Sequence, residues 1–204
     1  MLSIFARASV SRFLDPVGAM LLRAGVGPDA LTLAGTAGTV FSALWFFPRG
    51  QLFVGTVAVT LFVVFDLLDG AVARARGHGT PFGTVLDATC DRIADGAVFA
   101  GLTWWCFAVA EDRPLALAAL FCLVSAQVIS YIKARAEATG LAADGGMVER
   151  AERYIITLGG TGLAGLGMPM ALDVALWLLA VLQLVTVIQR MLAVRRSARG
   201  QASS

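Results

Sequence analysis

The chain has 204 residues, 58% of them hydrophobic and 15% charged, with a net charge of +2 and a mean hydropathy of +0.78. Soluble domains carry about 25% charged residues, so this composition excludes an ordinary water-soluble fold and points to one compact integral membrane domain. The small net charge gives no argument for a nucleic-acid partner. Cys90, Cys106 and Cys122 are odd in number and lack metal-ligand spacing, so they read as buried free thiols on apolar helices.

Residues 2–24 mix Phe5, Phe13, Val17 and Leu21 with Arg7, Arg12 and Arg23 around Pro16. This predicts an amphipathic helix, or two short ones, lying in the headgroup layer. Arg7 and Arg12 interrupt any apolar core, so no cleavable signal pattern is expected. Pro28 and Asp29 then read as a helix start with Asp29 as its cap. Uncharged stretches follow at 30–47, 50–65, 96–110, 114–132, 154–172 and 174–189. Each approaches the roughly 20 residues that cross a bilayer. The second and third fall short only where acidic residues begin. The period-two alternation of a barrel is not seen. The expected fold is all-α: a juxtamembrane segment over 1–29, a membrane domain of six transmembrane helices over 30–196, and a polar tail over 197–204. The stretch 195–204 is expected to fray, with its arginines available to anionic lipid.

In a six-span arrangement 14 of the 16 basic residues fall on one side, and only Arg49 and Arg113 on the other. The bias places both termini and the acidic cluster described next in the cytoplasm, at the plasma membrane. Gly159, Gly160, Gly162, Gly165 and Gly167 crowd the fifth span, which reads as close helix packing.

Residues 66–91, DLLDGAVARARGHGTPFGTVLDATCD, hold four carboxylates in this oily chain. Asp66 and Asp69 are three apart, and Asp87 and Asp91 four apart, so each pair projects from one helix face. A turn of only a few residues between the two helices makes them antiparallel neighbours. Facing carboxylates repel unless a cation neutralises them, and oxygen-only ligands suit Mg²⁺ or Mn²⁺ better than Zn²⁺. Ionisable groups at membrane depth default to a functional reading, here a cation site, with room for two ions. Salt bridging with Arg74, Arg76 and Arg92 is the structural alternative, but three staggered arginines do not satisfy four acids. Asp95 continues the Asp91 face at i+4, either as a further ligand or paired with Arg92 or a neighbouring helix. His78, the only histidine, reads as a turn residue.

The stretch fits D-x-x-D-G-x-x-A-R, eight residues, then G-x-x-x-D-x-x-x-D without departure, through Asp66, Asp69, Gly70, Ala73, Arg74, Gly83, Asp87 and Asp91. It thereby resembles the CDP-alcohol phosphotransferase family. That resemblance implies transfer of a substituted phosphate from a CDP-linked lipid or alcohol to an acceptor hydroxyl, with release of CMP. It implies that Asp66, Asp69 and Asp87 hold metal and that Asp91 acts as general base and as a further ligand. It implies that Gly70 and Ala73 leave space for the nucleotide while Arg74 binds its phosphates. The family's Pro-Asn/Asp-x-Leu-Thr stretch stands here as Pro28, Asp29, Ala30, Leu31 and Thr32. Asp29 and Thr32 are then either nucleotide contacts or helix-capping residues, and Thr80 reaches the same nucleotide.

Ser130 and Lys133 share a helix face, as do Arg150 and Arg153 on the next helix. With Arg135, and Arg195 or Arg196, they form a basic cluster that either expresses the cytoplasmic bias or binds a phosphorylated acceptor. SYIKARAEATG followed by ERAERY resembles the actinobacterial phosphatidylinositol phosphate synthase branch of the family. That likeness implies inositol phosphate as acceptor, CDP-diacylglycerol as donor, Ser130, Lys133 and Arg153 on the acceptor phosphate, and a homodimer. Glycerol phosphate as acceptor is the nearest alternative. A divalent-cation transporter is the alternative from another class, opposed by the placement of the acids at one end of their helices.

Overall fold

The computed structural model describes Met20, Leu22, Arg23, residues 25–76 and residues 80–202, except for the side chains at 67, 69–71, 73–76 and 202. The amphipathic helix expected over 2–24 lies almost wholly outside the described residues, and His78 lies outside them too. Six long helices follow in the described chain: α1 (Pro28–Phe46), α2 (Leu52–Arg76), α3 (Pro81–Ala108), α4 (Arg113–Ala138), α5 (Arg150–Gly165) and α6 (Met170–Ala202). A short 3-10 turn, Phe47–Arg49, follows α1.

Among the described residues, three stretches are long and apolar enough to cross a membrane by length and composition: Pro28–Arg49, Arg113–Ala138 and Met170–Gln201; Leu52–Asp66 is a shorter apolar stretch. Burial in α4 runs opposite to a soluble helix. Its buried positions are mostly small (Ala116, Ala118, Ala119, Ser125, Ala126), whereas Leu117, Leu120, Phe121, Val124 and Val128 are exposed. Water would penalise such a face heavily, but lipid does not, and small residues let helix backbones approach. The protein is an integral membrane protein.

The chain forms two compact units, residues 1–42 with 57–97, and residues 43–56 with 98–204. In the first, α1 packs on α2 through Gly38, whose missing side chain is replaced by the Phe62 ring. The start of α3 is fixed by local chemistry. Pro81 takes the first helical position, where its absent N–H costs nothing, and Thr80 Oγ1 accepts a hydrogen bond from Gly83 N at 2.9 Å.

In the second unit α6 packs against both α4 and α5. Its inward stripe begins as Leu172, Leu176 and Leu179 and turns polar as Gln183, Thr186 and Arg190, all buried. Asp112 caps α4 by accepting from Leu115 N at 2.9 Å. Glu149 and Glu152 form a capping box on α5. Close packing along the glycine-rich span holds at Gly160, where a Cβ would strike Ala175 and Ala171, and at Gly165, where it would strike the Phe53 backbone.

Two boundaries differ from the sequence expectation. The apolar run at 154–172 is not one helix. α5 stops at Gly165, and a turn using Gly167 at φ +97° and Pro169 precedes α6. The backbone conformation breaks the span where hydropathy does not. The C-terminal segment is helical through Ala202 instead of frayed, because it is tied down. Ser197 Oγ accepts from Ala142 N at 3.0 Å, and Gln201 Nε2 donates to Gly140 O at 2.8 Å. The three cysteines are free and buried, as expected.

Candidate metal centre

Asp66 comes from α2, and Asp87 and Asp91 from α3. One carboxylate oxygen from each lies within 4.8 Å of the other two. Asp66 and Asp91 are half-buried and Asp87 is exposed, so the cluster is open on one side. Asp66 Oδ1 and Asp91 Oδ1 are themselves out of solvent. Three converging anionic oxygens repel one another, and a hard divalent cation of the Mg²⁺ or Mn²⁺ type relieves that repulsion with the ligand chemistry it prefers. The residues therefore fit a divalent metal. Asp69 and Arg74 are helical in backbone, but their side chains, and that of Ala73, lie outside the described residues.

Helix α1 closes one wall. A Cβ on Gly35 would stand 3.2 Å from both Asp66 Cβ and Asp66 Oδ1, so only glycine lets α1 pass this close without pressing on that carboxylate. The sequence reading missed Gly35. A small residue at i, i+3 from Gly38 on the first span was the available signal.

The residues expected on the nucleotide side are partly assembled. α1 begins at Pro28, which puts Asp29 inside the first turn and not at the cap as expected. Proline's fixed φ claims the first helical position. Asp29 still suits the positive helix start. Its Oδ1 lies 3.3 Å, and Thr80 Oγ1 3.1 Å, from where a Cβ on Gly83 would stand. Asp29, Thr80 and Gly83 thus converge. Thr32 is buried and donates to Pro28 O at 3.2 Å, Leu31 is buried, and Ala30 is exposed.

Residue types and spacing agree with what comparison finds. Residues 26–194 match the family described as CDP-alcohol phosphatidyltransferase. The chain belongs to the CDP-alcohol phosphatidyltransferase family. It is similar to the phosphatidylinositol phosphate synthase of Mycobacteroides abscessus, 55% identical over 198 residues that cover 97% of this chain and 90% of the relative. Two crystal structures of Mycobacterium tuberculosis phosphatidylinositol phosphate synthase superpose at a TM-score of 0.87 with 55% identity. One has CDP-DAG bound, with 90% of this chain and 94% of that chain covered; the other holds manganese and citrate, with 90% of each covered. This CDP-alcohol phosphatidyltransferase is thus a transferase with an acidic cluster whose residues fit a divalent metal.

The residues expected to bind the acceptor phosphate lie in the second unit. Ser130 is half-buried and donates to Ala126 O at 3.1 Å. Lys133 is exposed, with Nζ 3.9 Å from Glu137 Oε1. Arg153 is buried at 3% exposure, whereas Arg195 and Arg196 are exposed. The buried arginine near the chain's end is instead Arg190, at 6% exposure. Its Nη1 donates to Ile129 O at 2.8 Å and its Nε to Gly145 O at 3.2 Å. Counted only as one of many cytoplasmic arginines, it carried no separate signal. Its position in an apolar run, seven residues after Gln183, was the clue.

Proposed function

We propose that this chain transfers the phosphatidyl group of CDP-diacylglycerol to inositol phosphate, giving phosphatidylinositol phosphate and CMP, with Mg²⁺ as its metal and two ions in the site. The convergence of Asp66, Asp87 and Asp91 on one point carries the reading. The likeness to curated phosphatidylinositol phosphate synthases supports the acceptor. Asp69 would complete the ligand set. When bound, the divalent cation supplies charge neutralisation on the diphosphate and aligns it for in-line attack.

The remaining work falls to the chain. Arg74 would hold the diphosphate, and the low walls at Gly70 and Ala73 would admit the nucleotide. Asp29, Thr32 and Thr80, with the backbone at Ala30 and Leu31, would line the cytidine pocket. Asp91 would take the proton from the acceptor hydroxyl as its oxygen attacks phosphorus and the bond to CMP breaks. A carboxylate of ordinary basicity is a weak base for an alcohol, so positioning must supply most of the acceleration. Ser130, Lys133, Arg153 and Arg195 would bind the acceptor phosphate through charge-assisted hydrogen bonds.

The same reading takes the six helices as six spans, with both termini and the chemistry at the cytoplasmic face, supported by the 14-to-2 distribution of basic residues. The family resemblance supports a homodimer, which cross-linking in native membranes tests. The deciding assay is CMP release by the purified protein given CDP-diacylglycerol and either inositol phosphate or glycerol phosphate. Release with inositol phosphate is expected. Release only with glycerol phosphate would overturn the acceptor assignment, and no release with either would overturn the reaction.

A further inference from the structure

Beside the three converging carboxylates lies an ion pair that the transfer reaction does not by itself explain. Asp95 sits one helical turn beyond Asp91 on α3, and its side chain is only 1% exposed. A carboxylate buried in the membrane domain is costly unless a cation answers it. Arg92 Nη2 does so at 3.4 Å from Asp95 Oδ2. The same nitrogen lies 3.8 Å from Asp91 Oδ2. Arg92 shares a helix face with Asp95 three residues on, whereas it reaches Asp91, its chain neighbour, only by bending back along the helix. The guanidinium is therefore shared between a buried anion with no place in the metal cluster and an anion that belongs to it.

We propose that Arg92 and Asp95 form a positioning pair for Asp91, and that Asp95 acts as the counter-anion keeping Arg92 from competing with the divalent cation. This rests on the reading of Asp66, Asp87 and Asp91 as a metal site. Arg92 alone would be drawn onto Asp91 and would place a full positive charge beside a site built for cations. Asp95 draws the guanidinium the other way and cancels that charge, while the remaining contact keeps the Asp91 carboxylate turned in one orientation. Asp66 and Asp87 then meet the cation together with an Asp91 that is oriented but not neutralised.

The test is Mn²⁺ binding to purified protein, followed by loss of the free-ion electron paramagnetic resonance signal, with CMP release measured in parallel. Asp95→Asn leaves the arginine charge unbalanced and is expected to weaken Mn²⁺ binding about tenfold. Arg92→Gln removes the competing charge and is expected to tighten Mn²⁺ binding severalfold while CMP release falls, because Asp91 loses its orientation. The double variant is expected to bind Mn²⁺ within about twofold of the unaltered protein. A pair that serves only to hold the fold would weaken or leave unchanged the binding in every variant, so Mn²⁺ binding that fails to tighten in Arg92→Gln overturns the proposal. That variant decides alone if Asp95→Asn yields no folded protein. Asp87→Asn separates the two levels. If its Mn²⁺ binding equals that of the unaltered protein, the metal site itself is wrong. If its binding is lost but the Arg92 and Asp95 variants do not diverge, only the positioning pair is wrong.

Discussion

Gly35→Ala offers a clean separation of stability from activity. The new Cβ would lie 3.2 Å from Asp66 Cβ and Oδ1 and 3.3 Å from Asp66 Cα. Carbon atoms settle at about 3.5–4.0 Å, so α1 and Asp66 must part by about half an ångström. Catalytic groups tolerate about that much, and a 1 Å misplacement costs on the order of 10²-fold. Half that displacement therefore predicts roughly a tenfold loss of turnover, with a higher metal requirement. Stability should hardly change, because alanine in place of glycine inside a helix gains about 0.8–1.0 kcal/mol, which offsets the contact strain. The assay is CMP release against metal concentration at saturating donor lipid, beside a thermal melt. Full activity at the normal metal concentration would refute the argument. A melting temperature that falls in parallel with activity would show Gly35 to be mere packing.

Asp91→Asn should abolish CMP release while leaving part of the metal binding intact, because two of the three converging carboxylates remain; unchanged turnover would remove Asp91 from the reaction. Arg190→Gln loses two charge-assisted bonds, to Ile129 O and Gly145 O. It should lower stability by about 2–4 kcal/mol in a melt, on the scale of such bonds. Gln183 is fully buried. Its Oε1 accepts from Ser125 Oγ, but its Nε2 has no hydrogen-bond partner among the described residues. Ser125 also donates to Phe121 O at 2.7 Å and so keeps a partner without it. Gln183→Leu should therefore leave the stability read in a melt unchanged or raise it by up to about 2 kcal/mol; a marked fall would mean that the amide is satisfied and holds α4 to α6.

The acidic centre was readable in the sequence because its chemistry is local. Two pairs at helical spacing on adjoining helices leave few ways to avoid meeting, and the structure brings Asp66, Asp87 and Asp91 together. The all-helical character followed equally from apolar run lengths. What hydropathy does not record is backbone conformation, so the stop at Gly165 and the turn through Gly167 were hidden inside a continuous apolar run. Asp29 was placed two positions off because capping preference competes with proline's hold on the first helical position. Gly35 and Arg190 were missed for a shared reason. Their significance lies in a partner far along the chain, the Asp66 side chain for one and the Ile129 and Gly145 carbonyls for the other. The predicted fraying of the tail failed in the same way, since its hydrogen-bond partners are at 140 and 142.

The central claim is that the three carboxylates hold a divalent cation without which phosphatidyl transfer does not occur. Chelator-treated protein should release no CMP, and adding back Mg²⁺ should restore release along a saturable curve that Asp87→Asn shifts to much higher metal or abolishes. Turnover by the metal-free protein, or an Asp87→Asn curve lying on that of the unaltered chain, would contradict it.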